Sequence, residues 1–195
     1  YSPRDNIHDS YIQAPYILYN LKRVEGYVQA MSYWPFTDVF EEAGPSPAPF
    51  HGGFGLLNEQ GIRKPAFYAY EYLGRLGETE LCNEDSDSYI CCDGQDIQVL
   101  FWNYTHQKQD EVNQRFYIRD LPAPEAEEAR ISLCGIEPGY YAVKLYRTGY
   151  GSNDVYGDYL AMDRPSWLSR EAVKELKERN GGAAVRLSAF HFFIH

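Results

Sequence analysis

Apolar positions recur with two different periods along this chain, and the change falls near residue 80. Before that point, apolar residues three or four positions apart predict helices on either side of one short aromatic run. After it, short apolar runs separated by turn residues are typical of consecutive β-strands. The sequence therefore predicts two structural units, residues 1–80 and residues 81–195.

The first predicted helix spans about residues 10–23, where apolar side chains recur at helical spacing. Asp9 or Ser10 is expected to be its N-cap, because a short side chain there accepts hydrogen bonds from free backbone N–H groups. Gly26 is expected just past its end, at the position that glycine prefers. Pro15 lacks an N–H group and conflicts with a helix interior, so we expect a kink or a later start.

A strand buried on at least one side is predicted for residues 27–36, followed by a loop over residues 37–62 that is rich in glycine and proline. A second helix is predicted over residues 65–76, with Pro65 at its first position and Gly77 just past its end. Helix, strand, long loop and helix in this order are typical of the last units of a (β/α)8 TIM barrel. Active sites on that fold are built from loops after the strands, so we expect this loop on the catalytic face.

The second unit is predicted to be a β-sandwich accessory domain with one inserted helix, which makes the expected fold class α/β plus all-β. The helix is predicted over residues 169–179, with Ser169 as N-cap and Gly181 and Gly182 as its stop. The predicted strands cover residues 88–92, 96–104, 113–118, 130–134, 140–147 and 184–194.

Aromatic residues make up 16% of the chain, with 18 Tyr, 10 Phe and 3 Trp. Aromatic rings pack well in sheets, and their faces also suit the C–H faces of sugar rings. Most of these rings are expected in packing. Trp102 and Trp167 in particular are expected in the core or at a domain interface.

The net charge of −10 argues against nucleic acid and against an anionic membrane surface as partners. The four cysteines, Cys82, Cys91, Cys92 and Cys134, form no CxxC pair, so we expect buried reduced thiols and no metal site. No cofactor is implied. No signal peptide is visible after Tyr1, and a cytoplasmic location is favoured, although the chain does not begin with Met.

Three motifs follow one another over residues 32–70: SYWPFTDVFEE, FHGGFGLLN and GIRKPAFYAY. In this order they resemble the glycoside hydrolase family 39 β-xylosidases, and the similarity extends through YSPRDNIHDS, LFWNYT and MDRPSWLSREAVKELKE. The resemblance implies removal of terminal β-D-xylosyl residues from xylo-oligosaccharides with retention, by an acid/base glutamate and a nucleophile about 5 Å apart. It places both glutamates upstream of Tyr1, so no catalytic residue is expected in this chain.

The resemblance assigns substrate-binding roles to residues that are present. Trp34 matches a tryptophan that forms the floor under the xylose ring. Glu41 and Glu42 match a pair of which at least one accepts hydrogen bonds from sugar hydroxyls. Tyr1 matches a tyrosine beside the nucleophile.

The HGGFG turn supplies two further candidates, His51 and Phe54. Its glycines allow the backbone to bend closely around a ligand or another loop, and His51 could equally cap the turn. Asp38 is expected to hold the loop through backbone N–H groups. His8 and Asp9 also match the family, with a role at the helix start.

Two alternatives stay open at this stage. One is a non-catalytic β-sandwich that binds carbohydrate or serves a structural role, with residues 1–80 as an appendage. The other, an α-L-iduronidase, is disfavoured because residues 33–55 contain no Lys or Arg to bind a substrate carboxylate. The expected partners are xylose or a xylo-oligosaccharide, the upstream part of the barrel and, through uncovered apolar faces, a second copy of the chain.

Overall fold

The computed structural model describes residues 4–39, 44–94, 96–105, 123–125, 129–136 and 139–185. A 3-10 helix at Asn6–His8 comes first, and the first α-helix is α1, Gln13–Val24. The helix starts later than residue 10, as Pro15 predicts, and this proline lies in the first turn, where no intrahelical N–H bond is lost. The predicted N-cap is wrong. Ile12 occupies the cap position without a side-chain hydrogen bond, while the Ser10 hydroxyl donates to the Ile7 carbonyl at 2.8 Å. Gly26 follows the end with a φ of +80°, as predicted.

The strand predicted for residues 27–36 is wrong, because no described backbone pairs with this segment in a β-ladder. Several of its apolar side chains are exposed instead of buried, with Tyr27 at 86% and Trp34 at 68%. The backbone is irregular here, and the Trp34–Pro35 peptide bond is cis. Apolar content alone predicted a buried strand, but burial depends on neighbours that a local pattern does not contain.

Helix α2, Pro65–Leu73, has Pro65 at its first position as predicted, but it ends at Gly74 rather than at Gly77. It packs against α1 through small side chains that let the two backbones approach each other. Trp102 closes this cluster and is buried at 8% exposure, in agreement with its predicted role. The cluster consists of Ala14, Ile17, Leu18, Leu56, Ala66, Ala69 and Trp102.

Three antiparallel strands form the sheet of the described residues, in the order β1, Thr79–Glu80, β2, Ser88–Asp93, and β3, Asp96–Phe101. Strand β2 matches the prediction for residues 88–92 and runs one residue further, β3 lies within the predicted 96–104, and β1 was not predicted. Residues 130–134 and 140–147 form no strand, apart from one bridge between Leu145 and Val185. Residues 113–118 and most of 184–194 lie outside the described residues. The barrel and the sandwich therefore stay predictions.

Helix α4, Arg170–Arg179, confirms its prediction, and the Ser169 hydroxyl accepts from the Ala172 N–H at 3.1 Å. Helix α3, Val155–Ala161, was not predicted. Both helices share a buried core with residues near the start of the chain and in the long loop. This core contains Ile7, Tyr11, Ile12, Phe50, Ile62, Val155, Tyr156, Tyr159, Leu168 and Leu176.

The expected burial of the cysteines and of Trp167 is only partly correct. All four cysteines are free, and Cys91 is buried as expected, but Cys82 and Cys134 are exposed. Trp167 is 74% exposed rather than packed. Within the described ranges, no helix combines the length and the apolar character that a membrane crossing requires.

Candidate functional site

Trp34 lies in an irregular segment, and the residues after it alternate between exposed and less exposed positions. Its side chain is 68% exposed, and that of Phe36 is 61% exposed. Tyr33 is turned inward, with its ring 5.9 Å from that of Tyr70 in an edge-on arrangement. Burial raises the pKa of Tyr33 to about 12. The inward tyrosine anchors this segment next to the exposed indole.

A short backbone ladder holds the residues after Trp34. The Asp38 N–H donates to the Leu57 carbonyl at 2.8 Å, and the Leu56 N–H donates to the Phe36 carbonyl at 3.0 Å. The Lys64 N–H in turn donates to the Leu56 carbonyl at 2.9 Å. The start of the loop, its end and the residue before α2 therefore lie side by side.

Lys64 lies fully buried between two carboxylates, in what we call the Asp9–Lys64–Asp38 cluster. Its Nζ is 2.8 Å from Asp9 Oδ1 and 3.1 Å from both oxygens of Asp38. Burial acts to lower the pKa of Lys64, but the charges of Asp9 and Asp38 outweigh it and raise that pKa above its ordinary value. Burial also raises the pKa of the Asp38 carboxyl, with Lys64 acting in the opposite direction. Removal of the ammonium from such a cluster would be strongly destabilising, because it would leave buried carboxylates without a cation.

The cluster and His8 grip the HGGFG turn through its backbone. Asp9 Oδ2 accepts from the Gly52 N–H at 2.6 Å, and His8 Nδ1 lies 2.9 Å from the Gly52 carbonyl. Asp38 Oδ1 accepts from the Gly55 N–H at 2.7 Å, which confirms the predicted role of Asp38. Asp9 and His8 thus support the loop and do not cap α1.

The glycines of the turn allow contact with neighbouring protein segments. A Cβ atom at Gly53 would lie 2.4 Å from Asp38 Oδ1. One at Gly55 would lie 2.3 Å from the Asp38 nitrogen. Of the two possibilities left by the sequence, close approach to a ligand or to another loop, these distances support the second for both positions.

His51 and Phe54, the candidates within this turn, both contact protein groups. His51 Nδ1 lies 3.2 Å from the Ala48 carbonyl and its Nε2 lies 3.3 Å from the Ser46 hydroxyl. Because both ring nitrogens face their own loop, this geometry supports a bracing role for His51. The Phe54 ring is 4.7 Å from the His8 ring, with the two planes tilted by 47°.

Tyr1, Glu41 and Glu42 lie outside the described residues, so their sugar contacts stay predictions. Lys64 is the residue that the sequence analysis missed. Its one local signal is that it stands between the apolar residues Ile62 and Pro65, a position that it shares with Arg63. In the described part of the chain, no three His, Cys, Asp or Glu side chains are grouped so that they could bind a metal ion.

His8 should make the stability of the protein depend on pH. Burial lowers the pKa of His8 below its ordinary value of 6.5, even though the carboxylates of Asp9 and Asp5 act to raise it. His8 therefore binds a proton more readily in the unfolded chain than in the folded one. Its contribution to the free energy of unfolding is complete above pH 6.5 and is lost as the pH falls through the lower folded pKa. Urea unfolding at about pH 7.5 and about pH 5.5 measures this effect. The free energy of unfolding should fall more between these two pH values for the wild type than for His8→Gln, which keeps a hydrogen-bond donor but does not titrate. Equal losses in both proteins would contradict this prediction.

Comparison with known proteins agrees with the motifs. The family model "Glycosyl hydrolases family 39" matches residues 1–186. A beta-xylosidase from Caldicellulosiruptor saccharolyticus is 35% identical over 180 residues, which cover 90% of this chain and 34% of that protein. A beta-xylosidase from Geobacillus stearothermophilus is 32% identical over 182 residues, covering 90% of this chain and 32% of that protein.

The crystal structure of the GH39 enzyme from Xanthomonas axonopodis pv. citri superimposes with a TM-score of 0.90 at 42% identity, covering 95% of this chain and 37% of that one. A monomeric beta-xylosidase from Caulobacter crescentus gives a TM-score of 0.89 at 39% identity, covering 97% of this chain and 39% of that one. The chain therefore spans about a third of the length of the curated relatives that it matches.

Proposed function

This chain belongs to glycosyl hydrolases family 39, and we propose that it is part of a retaining β-xylosidase that removes terminal β-D-xylosyl residues from xylo-oligosaccharides. Within that enzyme, the chain supplies substrate-binding residues, while the acid/base and the nucleophile lie outside residues 1–195. The two curated relatives described above are both named beta-xylosidases, which supports the choice of substrate.

The observation that carries the proposal is an exposed indole on a fixed base. Trp34 is 68% exposed, yet a half-buried Tyr33 precedes it, and the ladder and the buried Asp38 follow it. A large apolar face costs free energy when it stays in water, and it is well suited to the C–H face of a sugar ring. The fixed base restrains the backbone that carries the ring before the sugar arrives, which reduces the entropy lost on binding.

The proposed mechanism divides the work between this chain and the upstream carboxylates. The nucleophile attacks the anomeric carbon while the acid/base protonates the leaving oxygen, and water then releases xylose from the glycosyl-enzyme. Trp34 supports the sugar ring during both steps. Glu41 or Glu42 accepts hydrogen bonds from sugar hydroxyls, and Tyr1 orients the nucleophile.

Phe54 and His51 have different roles in this proposal. Phe54 borders the site from its place against the His8 ring, where it adds apolar surface. His51 braces the loop through Ser46 and Ala48, and touches sugar only if one of those contacts is given up. For the fold, we propose that residues 1–80 form the last units of a (β/α)8 barrel and residues 81–195 a β-sandwich accessory domain.

The test is hydrolysis of an aryl β-D-xyloside by the intact protein, followed by NMR of the first-formed sugar. We expect turnover with release of β-xylose, because a retaining mechanism preserves the anomeric configuration. Residues 1–195 on their own should show no turnover, since the two glutamates are supplied from outside them. Inverted product or an inert intact protein would overturn the proposal, and activity of the isolated chain would overturn the assignment of the glutamates.

The same assay separates the two alternatives. Binding of xylose without hydrolysis by the intact protein would favour the non-catalytic module. Preference for an aryl α-L-iduronide would favour an iduronidase. Lys64 cannot supply the cation that an iduronate carboxylate requires, because it is fully buried and paired with Asp9 and Asp38.

A further inference from the structure

We propose that Lys64 is a positioning residue of the xyloside site, which sets the orientation of Trp34 through Asp38 without touching the sugar. The inference deepens the proposed function and rests on it. Lys64 itself has no exposed side-chain surface, so direct contact with a substrate is excluded for this conformation.

The Lys64 ammonium joins three separate segments of the chain. It lies 2.8 Å from Asp9 in the turn before α1 and 3.1 Å from Asp38 at the start of the loop. It also donates to the Gly53 carbonyl in the HGGFG turn at 2.7 Å. Since Asp38 follows Trp34 by four positions, the ammonium fixes the anchored end of the segment that presents the indole.

Hydrophobic packing alone would not fix this segment. Trp34 and Phe36 are both more than half exposed, so little of their surface is buried against the chain. The fixed points are the packing of Tyr33 against Tyr70, the backbone ladder, and the ion pair of Asp38 with Lys64. Loss of the ion pair should therefore loosen the segment even where the fold survives.

The charges of the cluster allow a structural role to be separated from a positioning role. With one ammonium and two carboxylates, the wild-type cluster has one excess negative charge. Lys64→Met leaves two buried negative charges unpaired, which should destabilise the fold strongly. The double variant Lys64→Met/Asp38→Asn returns to one negative charge, and its amide oxygen still accepts from the Gly55 N–H.

The experiment measures urea unfolding, kcat and KM for an aryl β-D-xyloside, and the inhibition constant of xylose, all in the intact enzyme. We expect the double variant to recover part of the stability lost by Lys64→Met, because one of the two unpaired buried carboxylates is removed. We also expect its inhibition constant for xylose to stay at least about tenfold above that of the wild type, because small displacements of a binding group are costly. The control is Lys22→Met, which removes a partly exposed lysine of α1 that pairs with Glu25 and Glu80. It should leave the inhibition constant of xylose within about twofold of the wild-type value and should change the stability little.

Recovery of xylose binding together with stability would overturn the proposal, because the lysine would then be merely structural. If the double variant does not fold, Asp38→Asn alone serves instead, since it keeps the ammonium and the acceptor for Gly55. Its inhibition constant should rise about threefold, and an unchanged constant in the folded variant would equally overturn the inference. An inactive wild type would instead refute the proposed function, so the two failures are distinguishable.

Discussion

Trp34→Ala in the intact enzyme is expected to lower kcat/KM for an aryl β-D-xyloside by about 3 kcal/mol of transition-state stabilisation, roughly a hundredfold. The substitution removes the broad apolar face under the sugar ring, and Phe36, at 61% exposure two positions further on, offers a smaller ring. Within residues 1–195 the folded state should tolerate the change, because a side chain that is 68% exposed there contributes little buried area. Steady-state kinetics and urea unfolding of the same preparation measure the two effects.

Trp167→Ala is the matched control for this experiment. Trp167 is exposed to a similar degree, at 74%, but lies between α3 and α4 and has no role in the proposed site. It should keep kcat/KM within about twofold of the wild type. The kcat/KM of Trp34→Phe should lie between those of the wild type and Trp34→Ala. An unchanged kcat/KM for Trp34→Ala would remove the central residue from the proposal.

Gly52→Ala is expected to destabilise the protein by about 4 kcal/mol or more, a cost reached only by severe steric or electrostatic defects. Gly52 has a φ of +77°, and a Cβ atom there would lie 2.4 Å from the backbone nitrogen of Asp5. Backbone cannot move aside as a flexible side chain can. The turn would have to separate from Asp5, and the contacts of Gly52 with Asp9 and His8 would be lost with it.

Gly26→Ala supplies a control with nearly the same backbone conformation. Its φ is +80°, but nothing lies within 4 Å of the added Cβ atom. It should therefore cost only about 1–2 kcal/mol, the ordinary penalty for a left-handed residue other than glycine. Urea midpoints of the two variants measure the difference. Equal midpoints would show that crowding at Gly52 is relieved by movement of the loop.

Local signals predicted the elements that depend on local chemistry. Helix α4 begins where Ser169 can accept from a free N–H, and α2 begins at Pro65, whose missing N–H is not needed there. Helix α3 was missed because it is short and contains Gly157, which disfavours a helix interior. It is stabilised by packing, with the Tyr159 ring 5.0 Å from that of Phe50.

The residues of the candidate site also include some that local signals predicted and others that they did not. Asp38 was predicted to bind backbone N–H groups, because that is what a short carboxylate in a loop usually does. Lys64 was missed because its partner Asp38 lies 26 positions away, and no local pattern reports a pairing over that distance. Residues 27–36 were misjudged because their exposure depends on what surrounds them.

The core shared by the loop and the two later helices has a consequence for synthesis on the ribosome. Phe50 and Ile62 belong to the same buried cluster as Leu168 and Leu176. The nascent chain must therefore keep its loop without half of its packing partners until more than a hundred further residues have been added. Contacts over such separations slow folding. The part of the loop that carries Phe50 and Ile62 should thus mature late, and a translational pause before α4 would leave an aggregation-prone intermediate.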